Sequence, residues 1–190
     1  MRPIRTLVTV VFIAAIAITG CSAHTNADQP SPTPNPLDQQ APIYAAVLRQ
    51  YLTSGGGHDG GDAGYGGVRF PRIFVIDHAV AGAGASGPGT SEDGPIPPAA
   101  RRAITRTLTD VGPLTFVASS DEAIEPHSCA QVRDHGILIT LGPVEGTSDR
   151  VQVGVNGHRA CLGGNSLTYE VQRTASGWMV SGITAYGPVA

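Results

Sequence analysis

Residues 136–184 read GILITLGPVEGTSDRVQVGVNGHRACLGGNSLTYEVQRTASGWMVSGIT. Apolar and polar side chains alternate through this stretch four times. Ile137, Ile139 and Leu141 share one face. Val151, Val153 and Val155 alternate with Gln152 and Gly154. Leu167, Tyr169 and Val171 alternate with Thr168, Glu170 and Gln172, and Trp178 and Val180 lie on one side of the last run. Such period-two alternation predicts strands with one buried and one more polar face. The links are short, and Ala175-Ser176-Gly177 has hairpin length. The stretch therefore predicts a four-strand antiparallel meander.

Upstream, the pattern changes to helical. Tyr44, Val47, Leu48, Tyr51 and Leu52 recur at helical spacing, and Pro42 suits a first helical turn. Gly55 to Gly57 should end this helix, and residues 54–67 read as a Gly-rich loop. Arg72 to His78 (RIFVIDH) is β-branched and aromatic, hence a strand. Residues 81–95 are loose and dominated by Gly, Ala and Ser. Pro97-Pro98 opens a second helix with Ala100, Ile104, Leu108 and Val111 on one face, and Gly112-Pro113 stops it. Leu114 to Ala118 is a short strand. Ser119-Ser120 before Asp121-Glu122 predicts a cap. The expected class is α+β: two helices packed on a curved, mainly antiparallel sheet ending in the meander. This order resembles the cone-shaped sheets of cystatin or nuclear-transport-factor-2 folds, an architectural likeness that carries no activity.

The N-terminus has the three-part layout of an export signal. Arg2 and Arg5 are positive, and Leu7 to Ile18 is apolar apart from Thr9. That run is too short to span a bilayer, which takes roughly 20 residues as a helix. Ile18-Thr19-Gly20-Cys21 resembles the lipobox of bacterial lipoproteins. The resemblance implies that residues 1–20 are a signal peptide, removed before Cys21. It also implies that Cys21 carries diacylglycerol on sulfur and a fatty acyl chain such as palmitate on its amine. The protein would then sit on the extracytoplasmic face of the cell membrane, held through that lipid. Residues 21–41 contain four Pro after Cys21 and few large apolar side chains, which predicts an extended, unfolded tether. Residues 42–190 are expected to form a single domain. That body resembles exported actinobacterial lipoproteins through Ile43-Tyr44-Ala45-Ala46-Val47-Leu48, Phe74-Val75-Ile76-Asp77, Gly136 to Pro143, and Leu167 to Val171 with Gly177-Trp178. The likeness implies a shared fold and no activity.

Composition narrows the chemistry. Charged residues make up 14% of the chain, the formal net charge is −3, and all twelve basic residues are Arg. Without Lys there is no Schiff-base or P-loop lysine. Without a basic stripe, nucleic-acid binding is not expected. No cofactor is expected either.

With Cys21 used by lipid, Cys129 and Cys161 remain as a pair in an oxidising setting, which predicts a disulfide. A zinc site is the alternative, since His127, Asp134, His135 and His158 lie around the same two thiols. His58, Asp59 and Asp62 in the Gly-rich loop do not keep the phase of calcium nonapeptides and read as surface. Asp77-His78 at a strand end is the candidate acid–base pair of an enzyme, although adjacent strand residues point to opposite faces. No Gly-x-Ser-x-Gly elbow is present. Trp178 and Tyr169 read as core, with the alternative that they line a cleft for a small apolar or glycan ligand. The expected function is a binding or interaction module of the cell envelope, its partner another envelope protein or such a ligand. The alternatives are an enzyme at Asp77/His78 and a metal-binding protein using His127/His135/His158.

Overall fold

The structure is a computed structural model that describes residues 39–54, 65–66, 68–84, 91–126, 129–161 and 163–187. Cys21, the Gly-rich loop residues His58, Asp59 and Asp62, and His127 lie outside the described residues.

Helix α1 spans Gln40–Thr53. It begins two residues before Pro42, so the end of the Pro-rich segment belongs to it. Gln39 stands at its N-cap without capping it, and Ser54 N–H closes the other end on Gln50 O at 2.9 Å. Strand β1 (Ile73–Ile76) follows, then the short pair β2 (His78–Ala79) and β3 (Gly94–Pro95). Helix α2 is Pro98–Thr107, with proline at its first position, where a missing N–H costs nothing. Strand β4 is Leu114–Val117. The cap read at Ser119 is present: Ser119 and Glu122 form a capping box over a single turn at Ser120–Glu122. Strands β5 (Ile124–Glu125), β6 (Gln131–Val132), β7 (Ile137–Leu141), β8 (Glu145–Gly146), β9 (Arg150–His158), β10 (Gly164–Thr174) and β11 (Gly177–Tyr186) complete the chain.

The main sheet runs β11-β10-β9-β7-β1-β4, with β8 also on β9. The meander is as read: β7, β9, β10 and β11 pair antiparallel in chain order. The other half is parallel, because β1 pairs parallel with both β4 and β7. Helix α2 is the crossover between β1 and β4, as parallel neighbours require. The class is α+β with a mixed, open sheet.

Burial explains the two halves. Ile73 and Val75 of β1 face a large core with α1, α2 and the inward residues of β7, β9 and β10. Ile76 joins a second cluster on the opposite face with Val117, Ala123, Val132 and Leu138, and Phe74 packs against it. Strands buried on both faces are the mark of a parallel sheet centre. Farther along, the second face is polar. There the loop at residues 80–84 lies directly on β9: a Cβ at Gly154 would run into the backbone of Ala83. Gly84 N–H donates to Asn156 Oδ1 at 2.8 Å and holds the loop there.

Strand β11 is an edge strand with two bulges. Its register against β10 shifts between Thr168 and Tyr169 and between Glu170 and Val171, leaving Thr184 and Ser181 as the extra residues. Both hydroxyls turn back onto β10. Ser181 Oγ donates to the Glu170 side chain at 2.9 Å, and Thr184 Oγ1 donates to Thr168 O at 3.3 Å. The shift explains why Trp178 and Val180 share the core side with Ile183, at odd spacing.

Candidate functional site

Trp178 is not a buried core residue. The alternation predicts burial, and Tyr169 is indeed buried at 1% exposure. Trp178 is only half-buried, because it sits at the hairpin end of an edge strand with one sheet neighbour and α1 on the other side. Its indole Nε1–H donates to Gln39 Oε1 at 2.5 Å, which fixes the ring against the start of α1.

The ring lines a groove of about 430 Å³ between α1 and the last hairpin. Ala45, Ala46 and Val180 supply apolar wall, and Arg49 and Gln50 supply polar groups. The volume lies within the roughly 300–1,000 Å³ of small-molecule sites. Arg49 is locked in place. Its two terminal nitrogens grip Asp110 at 2.7 and 3.0 Å, and one also donates to Thr107 O at 2.7 Å. That hydrogen bond holds the Asp110 carboxyl below its usual range, and the same pairing raises Arg49. The clasp ties α1 to the end of α2 along the polar side of the groove. Away from the groove, in the core, burial alone pushes the Tyr44 phenol up, and its hydroxyl donates to Gly142 O at 3.1 Å.

Asp77 and His78 do meet. The opposed faces expected of strand neighbours do not apply, because the chain bends at Asp77 between β1 and β2. His78 Nδ1 lies 3.2 Å from Asp77 Oδ1, while Arg101 Nη1 donates to the other carboxylate oxygen at 2.8 Å. With its proton on Nδ1, the imidazole would leave Nε2 as the accepting nitrogen. Arg101 comes from the first turn of α2, a contact that no spacing in the sequence announces.

The described members of the cysteine and histidine set do not converge. Cys129 and Cys161 stand at disulfide distance, with Cα atoms 5.0 Å apart. His158 Nε2 is 2.8 Å from Ala130 O, and His135 Nδ1 is 3.2 Å from Gln131 Nε2. Asp134 makes an ion pair with Arg72 at 3.6 Å instead. Among the described residues, no group of three or more His, Cys, Asp or Glu could hold a metal ion. Nor is any helix among them long and apolar enough to cross a membrane.

No protein-family model, curated protein or solved structure matches this chain.

Proposed function

We propose that this protein is a lipid-anchored binding module of the bacterial cell envelope. Cys21 carries the lipid, residues 21–41 act largely as a spacer, and the α+β domain takes a small apolar or glycan ligand in the Trp178 groove. The partly buried tryptophan, held by Gln39 on the wall of a groove, carries this reading. A fixed indole face with polar groups beside it suits both classes, since sugars present C–H faces to aromatics and hydroxyls to Arg and Gln. The lipobox carries the anchor. Several acyl chains together give stable attachment where one alone binds weakly.

The chain has a single tryptophan, so its fluorescence reports on this groove alone. Titration with N-acetylglucosamine oligosaccharides and, separately, with lauric acid should give a saturable change for one of them. Ala46→Arg, which fills the groove and keeps the indole, should remove it. No saturable change with either probe would refute the ligand reading. For the anchor, intact mass should show acylated Cys21, and Cys21→Ser should leave the membrane fraction.

A second reading, an enzyme at Asp77 and His78, draws on their 3.2 Å contact. Hydrolysis of chromogenic esters that disappears in His78→Gln and survives in Trp178→Phe would favour it over the binding module.

A further inference from the structure

A second groove lies on the other flank of α2, where Phe116 of β4 and Pro98 meet Arg101, Arg102, Thr105 and Arg106. It is an open groove of about 450 Å³, separate from the Trp178 groove. Its floor is apolar: Phe116 is partly buried and packs against the main core. Its rim is cationic.

The three guanidiniums are not equivalent. Arg101 is fixed by Asp77 at 2.8 Å, and its backbone carbonyl takes the Thr105 hydroxyl at 3.0 Å. Arg102 and Arg106 are exposed, and neither makes an ion pair among the described residues. The groove therefore gathers three positive charges against the one carboxylate of Asp77, a net of two, on a chain whose formal charge is −3. Basic groups placed together against that background select an anion locally.

We propose that this groove binds a phosphomonoester that carries an apolar group. The charge decides between anions: a phosphomonoester holds about −1.5 to −2 at pH 7, which matches the net charge of the rim, whereas a carboxylate would leave half of it unmet. Guanidinium forks bind phosphate oxygens in pairs of parallel hydrogen bonds. The Phe116 and Pro98 surface covers the apolar ester group. A free phosphomonoester and the headgroup of a phosphatidic-acid-type lipid share this chemistry.

Calorimetric titration of the full chain with phenyl phosphate, inorganic phosphate, benzoate and soluble dioctanoyl phosphatidic acid tests the assignment. Phenyl phosphate should bind at least about tenfold tighter than inorganic phosphate and than benzoate. Arg102→Ala/Arg106→Ala should weaken it about tenfold or more, with unchanged melting temperature because both side chains are exposed. Dioctanoyl phosphatidic acid binding another tenfold tighter than phenyl phosphate identifies a lipid as the source. Equal or weaker binding identifies a soluble ester. Benzoate equal to phenyl phosphate overturns the phosphate assignment, and inorganic phosphate equal to it overturns the apolar floor. Binding that survives in the double variant, or no binding at all, overturns the site.

Discussion

Gly157→Ala tests how α1 is seated on the sheet. Gly157 lies on β9 opposite Ile139 and Asn165, on the face that α1 covers. A Cβ there would overlap the Tyr51 hydroxyl, come within 2.8 Å of its Cζ and within 3.0 Å of its Cε1. Tyr51 is fully buried, hydrogen-bonds Asn165, and sits edge-on to Tyr65 at 5.6 Å. It has nowhere to swing. Overpacking of this kind costs about 1–3 kcal/mol, and the upper half of that range applies because the obstacle is a fixed ring. Less unfolded-state entropy returns about 0.4–1 kcal/mol. The expected loss is about 2 kcal/mol, a fall in melting temperature of about 4–8 °C for a domain of this size.

Tyr51→Phe alone should cost about 1 kcal/mol through the lost hydrogen bond. The pair should not add. Removing the hydroxyl removes the worst overlap but leaves the 2.8 Å approach to Cζ, closer than packed carbons sit, so the ring must still shift and the relief is partial. The double variant should therefore lie about 1–2 kcal/mol above the sum of the singles, well within the range of contacting pairs. Urea unfolding followed by far-UV circular dichroism, with the disulfide oxidised throughout, measures all four corners of the cycle. Additivity within about 0.5 kcal/mol would refute the collision. So would a neutral Gly157→Ala.

Trp178→Ala should cost about 2–3 kcal/mol, less than the about 3–5 kcal/mol of a fully buried indole, because part of the ring stays in solvent. A melting temperature as low as that of a core-deletion variant would contradict this. Cys161→Ser should lower stability by about 2–4 kcal/mol in the chain-entropy account. Peptide mapping with and without reductant should show the Cys129–Cys161 link in the parent and a reactive Cys129 in the variant. Asp110 has its carboxyl depressed by Arg49, so its contribution is present above the ordinary carboxylate range and lost as pH falls through the lowered value. Asp110→Asn should flatten that acid limb of the stability–pH curve, and an unchanged acid limb would show the clasp to be inert.

The sequence carries much of this fold because the meander pairs neighbours. Alternation in Val151-Gln152-Val153 or Leu167-Thr168-Tyr169 gives the strand and its buried face, and short links give the partner. The parallel half is different. Ile73 finds both Leu114 and Ile137, and no local period names either. The unbroken apolar run Ile73 to Ile76, and Leu138 between Ile137 and Ile139, do hold a signal, since a strand covered on both faces needs apolar residues on both. At Trp178 the alternation gives the facing and misses the exposure, which depends on the strand being an edge. The Ser181 and Thr184 bulges leave no mark beyond the changed spacing from Val180 to Ile183. Asp77 and His78 were visible as residues, while the bend that joins them and the arrival of Arg101 are tertiary facts. The Arg101, Arg102 and Arg106 cluster could be read as charge on one helix, but not as the rim of a groove floored by Phe116.

The seating of α1 also sets an order of events. Gln39 reaches Trp178 across 139 residues, and Tyr44 reaches Gly142 across 98. Helix α1 thus depends on strands made well after it. A chain that emerges from its N-terminus has an apolar helix long before anything can cover it. The meander needs only adjacent segments and closes cheaply, whereas β1 and α1 wait on distant ones. On these grounds the expected order is the meander first and the seating of α1 last, opposite to the order in which these elements are synthesised. A chain stopped short of β10 and β11 would present Ile43, Val47 and Leu48 to solvent, a state for quality control to remove.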